Sequence, residues 1–396
     1  MTSEPTSFDP EAPLPGQADP WEGSAMPMPR SGPPYAMTEM IAAEPALAER
    51  LLGRLAASDS SAAVLARMLE EAATAGRSIR VVGCGTSEHG AMAAALILED
   101  ALRRSGHHVP VVAEQAFEAW LDARPDGLVI GISHEGGTAA TNAALQAARA
   151  SGARTAMVTV GERSPGAALA DVVVATQEMD QSWCHTVGYL SPILAALAVA
   201  GHLTGDAPDP ASIRAALAKG ADQAVAAEGI AARLAGVAHL LTVASGVDRP
   251  AARELALKVE EAAWLPATMR ELETLLHVHL PATDAGTGLV LILSDVDRLA
   301  DRAGRASEAL EAAEIIGLRV AAILSPEADA ALAGAPTGLG RLMAARPGLA
   351  GPGAAIVATA TPSQLLTERL ARARGTDPDP IRRDQPRYRH AAERHR

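Results

Sequence analysis

IRVVGCGTSEHGAMAAALILEDALRR, residues 79–104, decides the fold class. Its opening, Ile79–Gly83, is a short, largely apolar run that reads as a strand. From Glu88 to Arg104 apolar residues recur at helical spacing. A short apolar strand feeding directly into a helix is the unit from which parallel sheets covered on both faces are built. Between the two lies a small-residue turn, CGTS. It exposes backbone N–H groups at a helix start, and Thr86 and Ser87 add hydroxyls, so Cys84, Gly85, Thr86 and Ser87 form a candidate cradle for an anion or polyol. The alternative is an ordinary strand-to-helix turn with Ser87 as N-cap.

The same alternation continues along the chain. Strands are expected at 109–114, 128–133, 155–160 and 172–175, with a helix at 138–151. After the polar break GDAPDPAS (205–212) a second round begins, with strands expected at 240–244, 289–294, 318–324 and 354–358 and helices at 250–263, 296–316 and 363–373. The predicted fold is therefore α/β, with two consecutive doubly wound parallel-sheet domains of flavodoxin-like type at 37–207 and 208–373, and ligands at the carboxyl ends of the strands. Residues 37–57 read as a helical packing arm that Pro45 should kink or restart. Residues 1–36, rich in Pro, Gly, Ser and Met without a period, read as a disordered tail. The segment 374–396 has too little apolar content for a core of its own and is expected to lie over the active site.

With 396 residues the chain is long enough for two full cores. A net charge of -13 argues against a nucleic-acid partner, since no basic stripe is present. The two cysteines, Cys84 and Cys184, lie far apart, so neither a disulfide scaffold nor a zinc site is indicated. There is no signal-peptide pattern, and the apolar run at 190–200 is too short to span a bilayer. These features predict a soluble cytoplasmic protein with no membrane partner and no metal or organic cofactor.

A second stretch carries the candidate chemistry: RPAARELALKVEEAAWLPATMRELETLLHVH, residues 249–279. It holds one of the two lysines of the chain and places Glu254, Lys258 and Glu261 four and then three residues apart, on one face of a helix. His277 follows. A carboxylate base, an ammonium and an imidazole are what a sugar isomerase needs to open a ring and move a proton between neighbouring carbons. A solvated helix with an ordinary Glu–Lys pair would give the same spacing.

The third expected strand ends in GISHEGGT, residues 131–138, before another helix. Two strand ends of one sheet, each with Gly beside Ser or Thr, would frame one pocket. Ser133, His134, Glu135, Gly136 and Thr138 are thus further candidate ligand contacts, with His185 from the loop MDQSWCHT (179–186). In that loop Cys184 reads most simply as a small buried hydrophobe and Trp183 as packing or pocket wall.

These motifs, CGTS at 84–87, Ser-x-x-Gly-x-Thr at 133–138 and ELALKVEE followed by His277, resemble the sugar isomerase (SIS) family. The tandem arrangement resembles the isomerase half of glucosamine-6-phosphate synthase and the fructosamine-6-phosphate deglycases. The resemblance implies a phosphosugar held by Ser87, Ser133 and Thr138. It implies Glu261 as the carboxylate that moves a proton between C1 and C2, His277 as the ring-opening histidine, and Glu254 and Lys258 as the supporting pair. A homodimer whose second subunit completes the pocket is also implied.

Three departures qualify it. Glu135 stands where the family has a second serine, and a carboxylate beside a phosphate dianion is repulsive unless it points away or is paired. His134 and His185 are the candidates to supply compensating charge. No lysine occurs in the C-terminal tail and no glutaminase domain precedes the first unit, so synthesis from glutamine is not expected. The resemblance leaves isomerisation and deamination or deglycation open, with a non-catalytic sugar-binding regulator as the alternative.

Overall fold

The computed structural model describes residues 8–394. Helices α1 (Ala36–Leu55) and α2 (Ser61–Thr74) precede the first sheet. The alternation then runs β1 (Ile79–Gly83), α3 (Thr86–Arg104), β2 (Val111–Gln115), α4 (Ala116–Leu121), β3 (Leu128–Ile132), α5 (Ala139–Ala150), β4 (Arg154–Thr159) and β5 (Val172–Ala175). Three helices follow, α6 (Val187–Thr204), α7 (Pro210–Ala221) and α8 (Ala224–Leu234). The second sheet is built by β6 (His239–Ala244), α9 (Arg249–Ala263), β7 (Ala267–Glu271), the single turn α10 (Leu272–Thr274), β8 (Thr287–Leu293), α11 (Leu299–Ile316), β9 (Arg319–Leu324), α12 (Pro326–Ala331) and β10 (Gly340–Met343). α13 (Gly353–Arg374) and α14 (Pro386–Glu393) close the chain.

Both sheets are five-stranded and every pairing is parallel. The orders are β2-β1-β3-β4-β5 and β10-β9-β8-β6-β7. Numbered from its own first strand, the second reads 5-4-3-1-2, which is the first order seen from the other side. Each is the 2-1-3-4-5 order of the flavodoxin type, with a switch point beside its first strand where ligands gather.

The predicted strand at 354–358 is corrected. Those residues lie in α13, which is buried on nearly every face. A short continuous apolar run has no period with which to tell a buried strand from a helix buried all round. Ile356, Val357 and Ala360 join the core of the first unit, whereas Ala358, Leu365, Leu366 and Leu370 join that of the second. β7 and β10 were not expected because they are the two edges of the second sheet, short and only partly buried, and so carry no apolar run.

Pro45 does not restart the helix, since α1 runs through it; burial of Met40, Leu47, Leu51 and Leu52 outweighs one missing helical N–H. α6 is long and apolar enough to cross a membrane by length and composition, but most of it is buried in the core.

Residues 8–35 correct the expectation of a disordered tail over 1–36, of which 1–7 lie outside the described residues. The backbone of 8–35 is irregular yet held by specific bonds. Leu14 N–H donates to the buried Glu178, which pairs with Arg50 at 2.7 Å, and Met179 N–H donates to Pro15 O. Polar side chains, rather than an apolar period, fix this segment to the carboxyl ends of β3, β4 and β5.

Candidate active site

The CGTS turn is shaped by glycine at two points. A Cβ on Gly83 would meet the backbone of Ser87, and Gly85 sits at φ +56°. The N-cap of α3 is therefore Gly85, not Ser87, and Thr86 and Ser87 lie in the first helical turn. Ser87 is half-buried, whereas Thr86 is buried and hydrogen-bonds Glu254 across the interface between the two units. Cys84 is half-buried, 4.0 Å from the Thr141 hydroxyl, and burial raises its thiol above the ordinary range.

α9 points its charged face at this turn. Lys258 is buried, with Nζ 2.6 Å from Glu261 Oε2 and 3.6 Å from Glu254 Oε1. Glu254 is buried as well, and its Oε2 lies 2.7 Å from His89 Nδ1 in the first turn of α3. Burial would raise the Glu254 carboxyl, but Lys258, with His89 and Thr86, holds it below the ordinary value. Glu261 differs: burial raises its carboxyl against the pull of Lys258, and its side chain stays 23% exposed. Burial lowers the Lys258 ammonium less than the two carboxylates raise it, so it remains charged. One helix face thus carries a stably ionised carboxylate, Glu254, and, two turns on, a partly open carboxylate, Glu261, with proton affinity tuned upward.

The loop 179–186 closes the third side. Asp180 accepts from Ser182, Thr186 and Gly188 N–H, and burial brings its carboxyl up to about 6. Cys184 is fully buried, packed with Met37, Ile41 and Ala262, as the small buried hydrophobe the sequence suggested, and burial pushes its thiol well up. The His185 ring lies 5.0 Å from that of His134, tilted by 54°. Burial, then His134, Lys258 and Arg383, keep His185 neutral.

The loop 133–138 follows the expected strand end. Gly136 adopts φ +71°, and a Cβ there would collide with Ser164. Ser133 Oγ and Thr138 Oγ1 lie 2.9 Å apart at the start of α5. His134 turns inward: its Nε2 accepts from Asp180 N–H at 2.8 Å, and burial lowers the ring to about 4. It is neutral and supplies no compensating charge. Glu135 faces the N-terminal segment, and its carboxylate accepts from Ser24 N–H and Ser24 Oγ at 2.6 and 2.7 Å. The backbone carbonyl of Glu135 accepts from Gln17 Nε2 and Trp21 Nε1. Trp183 joins this network by donating from Nε1 to Ser24 Oγ.

The C-terminal tail reaches the same loop. Asp379 O accepts from Trp183 N–H, and the Asp379 carboxylate caps α1 through Ala36 and Met37 N–H. Arg383 lies over the Trp183 ring, and its charge is felt at Glu261.

His277 is not brought to this cluster within one chain. It is exposed, in the turn beyond the carboxyl end of β7. That end adjoins the start of α9, where Arg249 pairs with Glu271 at 2.8 Å. Glu261 lies twelve residues further along α9, roughly 18 Å away at the helical rise. Sequence separation alone does not reveal that a parallel β-α-β unit places its helix end and its next strand end at opposite edges.

A cavity of about 300 Å³ also lies elsewhere, between Glu88, Met92, Glu114, Arg249 and Arg253. Its charges are each paired, Arg253 with Glu88 at 3.4 Å, Arg249 with Glu271 and Glu114 with Arg80.

The geometry can be set beside known proteins. Residues 74–204 match the SIS domain. The matched SIS segment spans β1 to α6 and holds every candidate loop residue, while the helix with Glu254, Lys258 and Glu261 lies outside it.

Glutamine–fructose-6-phosphate aminotransferase (isomerizing) from Zymomonas mobilis is 33% identical over 210 residues, covering 48% of this chain. The match spans a third of that enzyme's length. Among solved structures, the C-terminal domain of glucosamine-fructose-6-phosphate aminotransferase from Francisella tularensis superposes with a TM-score of 0.75 at 21% identity, covering 89% of this chain and 99% of that one. Tagatose-6-phosphate ketose/aldose isomerase from Escherichia coli gives 0.69 at 18% identity, covering 87% and 95%. At these identities the structural matches show a shared fold. The SIS resemblance read from the sequence is present over residues 74–204.

Proposed function

We propose that this protein binds a sugar or amino-sugar derivative and moves a proton between its C1 and C2, as an isomerase or as a deaminase or deglycase. The observation that carries the reading is Glu261. It is the one carboxylate of the α9 cluster that is both partly open and raised in proton affinity, as a base working near neutral pH must be. In this reading Glu261 takes the proton from C2 of the open-chain sugar and returns it at C1. Lys258 holds the carboxylate in place and offsets its charge while the enediol forms. Glu254, fixed by His89 and Thr86, keeps Lys258 protonated and aimed.

His277, exposed and remote from the Glu261 of its own chain, suits a role in the site of a second copy, where it would assist ring opening. A homodimer follows from that assignment.

Two measurements test the reading. A thermal-shift screen against sugars, amino sugars and their phosphates should find a stabilising ligand, because anything bound only by the native state raises its melting temperature. With that ligand, Glu261→Gln should abolish turnover while binding stays within about tenfold, since charge and proton acceptance are lost with little change of shape. Equal loss of binding and turnover would overturn the assignment of Glu261.

A further inference from the structure

Four buried polar atoms meet where α6, α9 and α13 pack together. Tyr189 Oη, Glu254 Oε1, Ser363 Oγ and Gln364 Oε1 have no hydrogen-bond partner among the described residues. Their residues are 2, 3, 6 and 2% exposed, so bulk solvent does not reach them. All four side chains line one cavity of about 10 Å³. That is about the space one water molecule needs.

The other polar groups on its wall are committed. Thr359 Oγ1 donates to the carbonyls of Ala355 and Ile356, and Thr367 Oγ1 to that of Ser363. Lys258 Nζ is drawn to Glu261 at 2.6 Å. The Gln364 amide is oriented from its far side, where Nε2 donates to Glu44 Oε1 at 2.8 Å and to the Thr186 carbonyl at 3.3 Å. Its Oε1 is therefore the end left over. Burial and the Glu254 charge raise the Tyr189 phenol well above its ordinary value, so it keeps its proton and remains a donor.

The unmatched set is two hydroxyl donors, on Tyr189 and Ser363, and two acceptors, on Glu254 and Gln364. A water molecule offers two of each, and waters inside proteins are held by such otherwise unsatisfied groups. A cation would be repelled by the Lys258 ammonium on the same wall.

We infer that this cavity is a binding site for one ordered water, which accepts from Tyr189 and Ser363 and donates to Glu254 and Gln364, and that through it Tyr189 is a positioning residue for the α9 cluster. His89 holds one oxygen of Glu254 at 2.7 Å, and the water holds the other. Glu254 fixed at both oxygens holds Lys258, and Lys258 holds Glu261. The positioning role rests on the proton-transfer reading above; the water site does not.

The test compares the full-length wild type with Tyr189→Phe, which removes the hydroxyl alone. In urea unfolding the variant should show a folding equilibrium constant about fivefold lower, because a buried hydrogen bond is lost. A dry cavity reverses the sign, since deleting an unpartnered buried hydroxyl relieves the fold. A crystal structure of the wild type should show one solvent peak within hydrogen-bond reach of all four atoms. Unchanged or increased stability of Tyr189→Phe, or a cavity without that peak, overturns the water site. With a sugar that the wild type turns over, Tyr189→Phe should lower kcat about fivefold and leave KM within about twofold, since the hydroxyl acts through Glu254 and binds no sugar itself. Full kcat in a destabilised Tyr189→Phe overturns the positioning role. A wild type that turns over no sugar sinks the proton-transfer reading and the positioning role with it, while unfolding and the crystal still decide the water.

Discussion

His89 Nδ1 lies 2.7 Å from Glu254 Oε2, joining the first turn of α3 to the middle of α9 and so the two halves of the molecule. Removing one partner of a buried hydrogen bond to a charged group costs about 1–3 kcal/mol, because the other is left unsatisfied. His89→Ala should therefore lower urea-unfolding stability by that amount. His89→Gln, which keeps a donor, should recover most of it. An unchanged midpoint in His89→Ala would show that the contact adds nothing to the association of the halves.

Lys258 is the hub of three buried or half-buried charges. Its replacement by Met keeps the volume and leaves Glu254 and Glu261 facing each other without a cation. Breaking a buried pair in this way typically costs about 3–5 kcal/mol. The expected result is a markedly lower melting temperature, partly restored in Lys258→Met/Glu254→Gln, where one of the stranded charges is also removed.

Acid should act through the two largely buried imidazoles, His185 and, with the more definite window, His134. The folded-state value of His134, about 4, lies below the ordinary 6.5. The unfolded chain therefore takes up a proton between those values that the folded one refuses, and stability falls as pH drops from 6.5 toward 4. Two and a half pH units correspond to about 3 kcal/mol. Asp180 works in the opposite sense: raised from 3.8 to about 6, it favours the fold at low pH and loses that contribution as pH rises through 6. Comparing wild type with His134→Gln, which keeps an acceptor for Asp180 N–H, isolates the histidine. The wild type should show the steeper loss of urea-unfolding stability below pH 6.5, and parallel profiles would exclude His134 as the titrating group.

If His277 serves the site of a second copy, two inactive variants should complement each other. Glu261→Gln and His277→Ala, denatured and refolded together, would form mixed dimers holding one intact site each, and about a quarter of wild-type turnover should return for a two-fold dimer. No recovery on mixing would place both residues in the same chain's site or remove His277 from the chemistry.

What the sequence revealed follows a physical divide. Strands such as Ile79–Gly83 and Val172–Ala175 are central or flanked by helices, and their apolar runs mark them to the residue. The spacing of Glu254, Lys258 and Glu261 shows a shared face, and the structure puts them on one. Edge strands Ala267–Glu271 and Gly340–Met343 carry little apolar signal and were missed. His89 was available to inspection, since it stands in the first turn after the CGTS loop, but nothing local says that it meets α9. Trp21 and Ser24 were hidden for a different reason. Their segment is held by side-chain and backbone hydrogen bonds to partners more than a hundred residues away, and no periodicity records such bonds.

α13 offers its two sides to different cores: Ile356, Val357 and Ala360 to one, Leu365, Leu366 and Leu370 to the other. Neither half can therefore melt without stripping apolar surface from a helix the other half needs. Despite its two separate sheets, the molecule should behave as one cooperative unit, showing a single calorimetric transition and no stable half-length fragment. The geometry between Glu261 and the loops it faces then persists for as long as the protein is folded at all.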